Sequence, residues 1–291
     1  MIRKFLVNLF DRVYRNSVCI FLFHEVSEHP SEFNRLYKLN VPPRVFGRQI
    51  EIIRDLFNII TPEQLSSGDY PRPAALITFD DGLPGYFENA VPILESLACP
   101  SLIFLNMAPV DGKIFWGGLL TYLTTYRRDF QEAVKEKYGD KLPLFALCPR
   151  KMVEEYLDKA GKENIFPQAK RFYGKFSTRE QLAKANKYVY LGNHLYNHYN
   201  ALLLSDSELR DAYVTNQAEL DKYPGSIPFF SYPFGQPKSC YNKATDSLIF
   251  DLGARFIFTA YPSMNFKKNQ SVWHRFSLNE AIQTEEEMKY S

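Results

Sequence analysis

Six apolar runs recur along the chain: residues 17–23 (SVCIFLF), 74–79 (AALITF), 101–106 (SLIFLN), 188–192 (YVYLG), 227–232 (IPFFSY) and 254–259 (ARFIFT). They are rich in β-branched and aromatic side chains, and most are continuous rather than alternating, the pattern of strands buried on both faces. Between them, apolar positions at helical spacing predict helices over 45–56, 86–97, 205–222 and 243–252. Ser205 followed three residues later by Glu208 reads as a capping box. Strands alternating with helices predict an α/β fold with a parallel sheet, open or closed into a barrel.

The stretch 111–187 breaks this rhythm, with several helical patterns and no convincing strand; Pro149 and Gly161 bracket one of its helices. It is expected to be a helical insertion on one domain spanning 1–291, because no linker composition divides the chain. At the start, Ile2, Phe5, Leu6, Leu9, Phe10, Val13 and Tyr14 share one helical face, with Arg3, Lys4, Arg12 and Arg15 largely around it. An amphipathic helix over 1–15 is expected, docked on the domain or lying on a membrane surface.

Composition narrows the function. Thirty-five Lys and Arg face 33 Asp and Glu among 291 residues, with the basic residues scattered, so nucleic acid is not an expected partner. The four cysteines, Cys19, Cys99, Cys148 and Cys240, have no paired-ligand spacing and read as reduced thiols. Asn8, Asp11 and Arg12 interrupt the apolar run that a secretory signal needs, and no window approaches the ~18 apolar residues of a membrane span. A cytoplasmic location is expected, with membrane-surface contact through residues 1–15 if that helix is not docked.

Asp80 and Asp81 follow the run 74–79 directly, at what a parallel sheet makes the carboxyl end of a strand, where functional groups gather. Gly82 allows a sharp exit. Two adjacent half-buried carboxylates repel unless a cation holds them ionised, although Asp-Asp-Gly is also a common polar turn. His194 and His198 follow the run 188–192; on one helical turn their spacing would align both imidazoles for a zinc-type ion, and a pair of ordinary surface histidines is an equal alternative. One carboxylate and two imidazoles leave a fourth coordination position open, as in catalytic zinc sites, and the surplus Asp can act as general base.

In chain order, TFDDG, HLYNH and FFSYPFG resemble the motifs of the polysaccharide deacetylases of carbohydrate esterase family 4. FLFHEV (21–26) resembles the family's tyrosine-histidine-x-valine opening, with Phe23 in the tyrosine's place. The resemblance implies a distorted (β/α)7 barrel that removes an N-acetyl or other acyl group from an amino sugar. It implies Asp80 as general base and Asp81, His194 and His198 as ligands of one divalent ion, zinc first, with cobalt, nickel, manganese or iron as alternatives. Phe234 would offer its backbone N–H to the oxyanion, with Tyr232 and His24 also contacting substrate. VWH (272–274) resembles the last motif, making His274 the candidate general acid and His24 its rival; His29, in a Pro-containing loop, is expected to be exposed.

The chain departs from the pattern in places. Leu195 stands where the family has serine or threonine, Ser231 stands where it often has the arginine that pairs with the base, and no Asp-x-x-Asp-Trp motif lies between 236 and 270. Arg275 and Arg255 are the candidates to supply the missing charge. Phe115, Trp116, Tyr122 and Tyr126 are expected in the core of the insertion or along a sugar groove. The implied partner is an acylated amino-sugar glycan or a lipid- or nucleotide-linked precursor. The altered motifs leave two alternatives: a non-catalytic carbohydrate-binding or scaffold protein on the same fold, and a hydrolase of another amide.

Overall fold

The computed structural model describes residues 15–139, 150–267 and 270–281. Cys148, Pro149 and most of the expected helix 1–15 lie outside them. The strands are β1 (Val18–Phe23), β2 (Glu25–Val26), β3 (Asn40–Val41), β4 (Asn58–Ile59), β5 (Ala74–Phe79), β6 (Ser101–Leu105), β7 (Val189–Asn193), β8 (Ser226–Ser231), β9 (Phe256–Thr259), β10 (Val272–His274) and β11 (Phe276–Ser277). All six expected strands are present, each end within two residues of its apolar run.

The main sheet runs β10-β9-β8-β7-β6-β5-β1-β11, with β4 beside β5. Its neighbouring strands pair in parallel. β10 and β11 are two halves of one short segment, the first paired with β9 and the second with β1. The sheet therefore nearly closes on itself, as a distorted (β/α)7 barrel with Arg275 at the seam. Asn265 stitches the seam nearby: its Nδ2 donates to the Val18 and His274 carbonyls at 3.1 and 2.9 Å, and its Oδ1 accepts from the His274 N–H at 2.9 Å.

Alternation along the strands decides what faces inward. Val18, Ile20, Ala74, Leu76, Leu102, Phe104, Phe229, Phe258 and Trp273 pack together in the barrel interior. The residues between them on β1, β5 and β6, such as Phe21, Ile77 and Ile103, join a second cluster against the surrounding helices. Carried past the last interior hydrophobic layer, the same parity brings His24, Asp80, His194, Ser231 and Arg275 to the inner rim of one barrel mouth.

The expected helices are found at Pro43–Leu56, Asp206–Leu220 and Lys243–Asp251. The Ser205 capping box forms, its N–H donating to Glu208 Oε2 at 2.9 Å and its hydroxyl accepting from the Glu208 N–H. The helix expected over 86–97 instead opens with a π-turn, Tyr86–Ala90, before Val91–Ser96. Pro92 lacks the N–H that an uninterrupted α-helical ladder would use there.

Among the described residues, 111–187 hold no strand, as expected. Their longer helices, Trp116–Tyr126, Arg128–Tyr138, Arg150–Ala160 and Lys162–Tyr173, share a core that includes Leu119, Phe130, Val153 and Ile165. Phe115, Trp116 and Tyr122 belong to that core, while Tyr126 is largely exposed with its hydroxyl donating to Glu32.

Candidate active site

β5 ends directly at Asp80, and the chain then turns through two residues in the left-handed region, Asp81 at φ 75° and Gly82 at φ 81°. A Cβ at Gly82 would stand 2.6 Å from Leu105 Cδ2, so glycine is required for space as well as for backbone angle. The turn directs the two carboxylates to different partners. Asp80 Oδ1 and Oδ2 accept from Arg275 Nη1 and Nη2, both at 2.7 Å. Asp81 Oδ1 lies 3.1 Å from His198 Nε2 and 3.5 Å from His194 Nε2.

Donor atoms of Asp81, His194 and His198 all fall within 4.8 Å of one another, and all three residues are buried. Ligands at ~2.1 Å around a tetrahedral ion stand about 3.4 Å apart, close to the 3.1 and 3.5 Å that separate Asp81 Oδ1 from the two imidazole Nε2 atoms. The donor set, one carboxylate and two imidazoles, is that of a zinc-type site. His194 Nδ1 pairs with the Ser231 carbonyl at 2.8 Å; as donor it leaves Nε2 with its lone pair toward Asp81. The residues therefore fit a divalent ion, which would be held by Asp81, His194 Nε2 and His198 Nε2.

Burial by itself would raise both carboxyls. For Asp80 the Arg275 guanidinium and His194 outweigh it, and the carboxyl sits below its ordinary value. For Asp81 the neighbouring His198, and then His194, whose Nε2 atoms both approach its carboxylate, hold the carboxyl well below that value. Burial pushes His198 down, the direction that favours the neutral imidazole a metal needs, while Asp81 pulls it back up.

Arg275 is fully buried and uses every donor it has. Beyond Asp80, its Nε donates to the Thr259 carbonyl at 3.1 Å, Nη2 to Ser231 Oγ at 2.7 Å and Nη1 to Thr78 Oγ1 at 3.4 Å. Its guanidinium also lies 5.2 Å from the centre of the Phe104 ring.

These groups line a cavity of about 340 Å³ at the barrel mouth. His24, at the end of β1, lines the same cavity. Burial lowers its pKa while Asp81 and Asp80 pull it back up. Phe33, Tyr37 and Leu39, from the chain between β2 and β3, form an apolar wall, and Phe234 lines the cavity from beyond β8.

Residues 67–257 match the family model described as polysaccharide deacetylase, about two thirds of the sequence. The chain belongs to the polysaccharide deacetylase family. No curated protein matches it. Among solved structures, IcaB from Ammonifex degensii has 17% identity and a TM-score of 0.63, covering 94% of this chain and 97% of that one. The Streptococcus pyogenes deacetylase PplD, solved in complex with acetate, has 17% identity and a TM-score of 0.56, covering 94% and 96%. A de-N-acetylase from Aggregatibacter actinomycetemcomitans has 13% identity and a TM-score of 0.61, covering 90% and 95%. At these identities the likeness is one of fold.

Against the family pattern, the structure brings Asp80, Asp81, His194, His198, His24, Tyr232 and Phe234 to one cavity. His274 is not among the cavity residues. It follows inward-facing Trp273 and precedes inward-facing Arg275, so it points to the other side of the strand, where Nδ1 pairs with Thr259 Oγ1 at 2.9 Å and the ring meets Tyr261. The helical turn expected at His194–His198 is also absent. The segment is a loop in which Leu195 (φ 58°) and His198 (φ 57°) are left-handed, and the histidines converge by that folding rather than by helical spacing. The Tyr232 hydroxyl is engaged elsewhere, donating to Asp246 Oδ1 at 2.9 Å. His29 is exposed.

Arg275 takes the place of the family's arginine, whereas Arg255 donates to the Ser66 carbonyl, away from the cavity. The ordering that Leu195 cannot provide comes from three buried asparagines that sequence reasoning missed. Asn193 Oδ1 accepts from the Leu195 N–H at 2.9 Å and from Asn216 Nδ2 at 2.9 Å. Asn106 Nδ2 donates to the Leu195 carbonyl at 2.7 Å and to that of His194. A signal existed: Asn106 and Asn193 stand at the ends of apolar runs, where a buried amide needs a partner.

Proposed function

We propose that the protein is a divalent-metal-dependent hydrolase that removes an N-acetyl or other acyl group from an amino sugar in a glycan or a lipid- or nucleotide-linked precursor. The observation that carries this reading is the convergence of Asp81, His194 and His198 beside a separate carboxylate, Asp80, held ionised by Arg275. The ion, zinc for preference, would supply Lewis-acid activation of water and of the amide carbonyl.

Asp80 acts as the general base, with Arg275 fixing its orientation while its carboxylate accepts the proton of the attacking water. The Phe234 backbone N–H is assigned to the developing oxyanion; Phe234 is left-handed at φ 63° and followed by left-handed Gly235, a strained turn of the kind kept at functional sites. His24 supplies the proton to the leaving amine, a role supported by its place in the cavity and by the outward direction of His274. The apolar wall excludes water and packs against the sugar face or the acyl group.

The test is acetate release from N-acetylated glucosamine oligosaccharides by protein reconstituted with Zn²⁺. Release that scales with the loaded protein supports the reading. A loaded protein that binds the sugar without releasing acetate favours the scaffold alternative.

A further inference from the structure

We infer that Phe115 and Gly117, at the entry to the helical insertion, are positioning residues that orient His198 and thereby set how tightly the divalent ion is held; this rests on the metal reading above. A metal-binding histidine ordinarily donates its second ring N–H to a carbonyl or carboxylate, which fixes the plane of the imidazole. His194 follows that rule through Ser231. His198 does not: its Nδ1 is buried with no hydrogen-bond partner, and its backbone is left-handed.

Packing takes over the orienting role. The His198 ring lies between Phe115, 4.9 Å away by ring centres, and Phe234, 4.7 Å away. Gly117 closes a third side: a Cβ there would stand 3.0 Å from His198 Nδ1, 3.2 Å from its Cε1 and 3.1 Å from Phe115 Cζ. These contacts are tighter than ordinary packing, so an alanine there must push the imidazole or the Phe115 ring by a few tenths of an ångström.

The clamp is anchored within the insertion. The Phe115 N–H donates to the Tyr173 hydroxyl at 3.2 Å, and the Phe115 ring meets Tyr173 and Phe33 edge-on, both at 5.7 Å. Gly118 admits Tyr173, whose Cδ1 would lie 2.3 Å from a Cβ at that position. Without the Phe115 ring the imidazole loses one of its two aromatic walls, and Nε2 gains freedom to turn away from Asp81 and His194.

The experiment measures Zn²⁺ affinity by chelator competition, and the absorption of the Co²⁺-substituted protein, for wild type, Phe115→Leu, Phe115→Ala and Gly117→Ala. Phe130→Leu is the control, because Phe130 is equally buried in the insertion core but packs on Tyr156. Melting of each metal-free variant monitors folding. Phe115→Ala and Gly117→Ala are expected to bind Zn²⁺ roughly 10- to 100-fold more weakly, the range for residues that orient a metal ligand. Phe115→Leu should lose less, with weakened tetrahedral Co²⁺ bands, and Phe130→Leu should match wild type. Wild-type affinity in the folded Phe115 and Gly117 variants overturns the inference, as does equal loss in Phe130→Leu. Wild-type protein that binds no Zn²⁺ overturns the metal reading and this inference with it.

Discussion

Asp80 and Asp81 are adjacent, yet the backbone between them turns so sharply that one faces Arg275 and the other faces two imidazoles. Asp81→Ala is expected to abolish tight metal binding. Asp80→Asn should keep the ion and lose turnover by about 10² to 10⁴, the usual share of a general base; metal analysis beside initial rates separates the two, and equal metal loss in both contradicts the division. His24→Ala should be metal-loaded and nearly inactive while His274→Ala stays close to wild type, and the reverse order returns the acid role to His274. Arg275→Met leaves Asp80 buried and unpaired, a loss on the order of 3–5 kcal/mol in denaturant unfolding that Asp80→Leu in the same chain should partly restore. The carboxylates and histidines were legible because few residue types do this chemistry and they fall at the ends of apolar runs. Asn106 and Asn193 also fall at run ends, but which groups an amide pairs with emerges only after folding brings distant segments together, and Asn216 lies within the helix Asp206–Leu220.

At the scale of elements, continuous apolar runs identified every long strand, since burial on both faces leaves no alternation to confuse with helix. β10 and β11 are too short to carry such a signal, and their pairing depends on closure of the sheet; their divided pairing also turns Arg275 inward and His274 outward. The spacing of His194 and His198 suggested a helix, and the structure has left-handed loop residues instead, a conformation that no periodicity encodes. Glu25 of β2 ties elements together: Oε1 accepts the Gly85 N–H at 2.9 Å beside the π-turn, and Oε2 accepts Asn34 Nδ2 at 3.3 Å from the helix Glu32–Leu36. Burial raises its carboxyl from an ordinary 4.5 to about 7, against the lowering effect of the Gly85 and Val26 N–H groups. A raised acid holds its proton in the fold longer than in the unfolded chain, so its contribution is complete below the unfolded value and is lost as pH rises through about 7. Glu25→Gln should remove a stability decline on the order of 3 kcal/mol across that window. Urea unfolding of both proteins from pH 5 to 8 checks this, and parallel curves would contradict it.

For the whole molecule, the barrel gathers the ends of β1, β5, β7 and β8 and the β10–β11 seam around one cavity, and the insertion reaches that cavity through Phe115 and Gly117. Alternation of strands and helices announced a parallel sheet, while closure depends on the pairing of five residues near the end of the chain. No helix among the described residues is long and apolar enough to cross a membrane. On the proposed function, one divalent ion on Asp81, His194 and His198 makes this cavity a deacylating site. The direct test is to strip the protein with a chelator and titrate Zn²⁺ back while following acetate release from an N-acetylated glucosamine oligosaccharide. The expected result is no release from stripped protein, and recovery that rises linearly and stops at about one ion per chain. Full release from stripped protein, or recovery that is undiminished in Asp81→Ala, would contradict it.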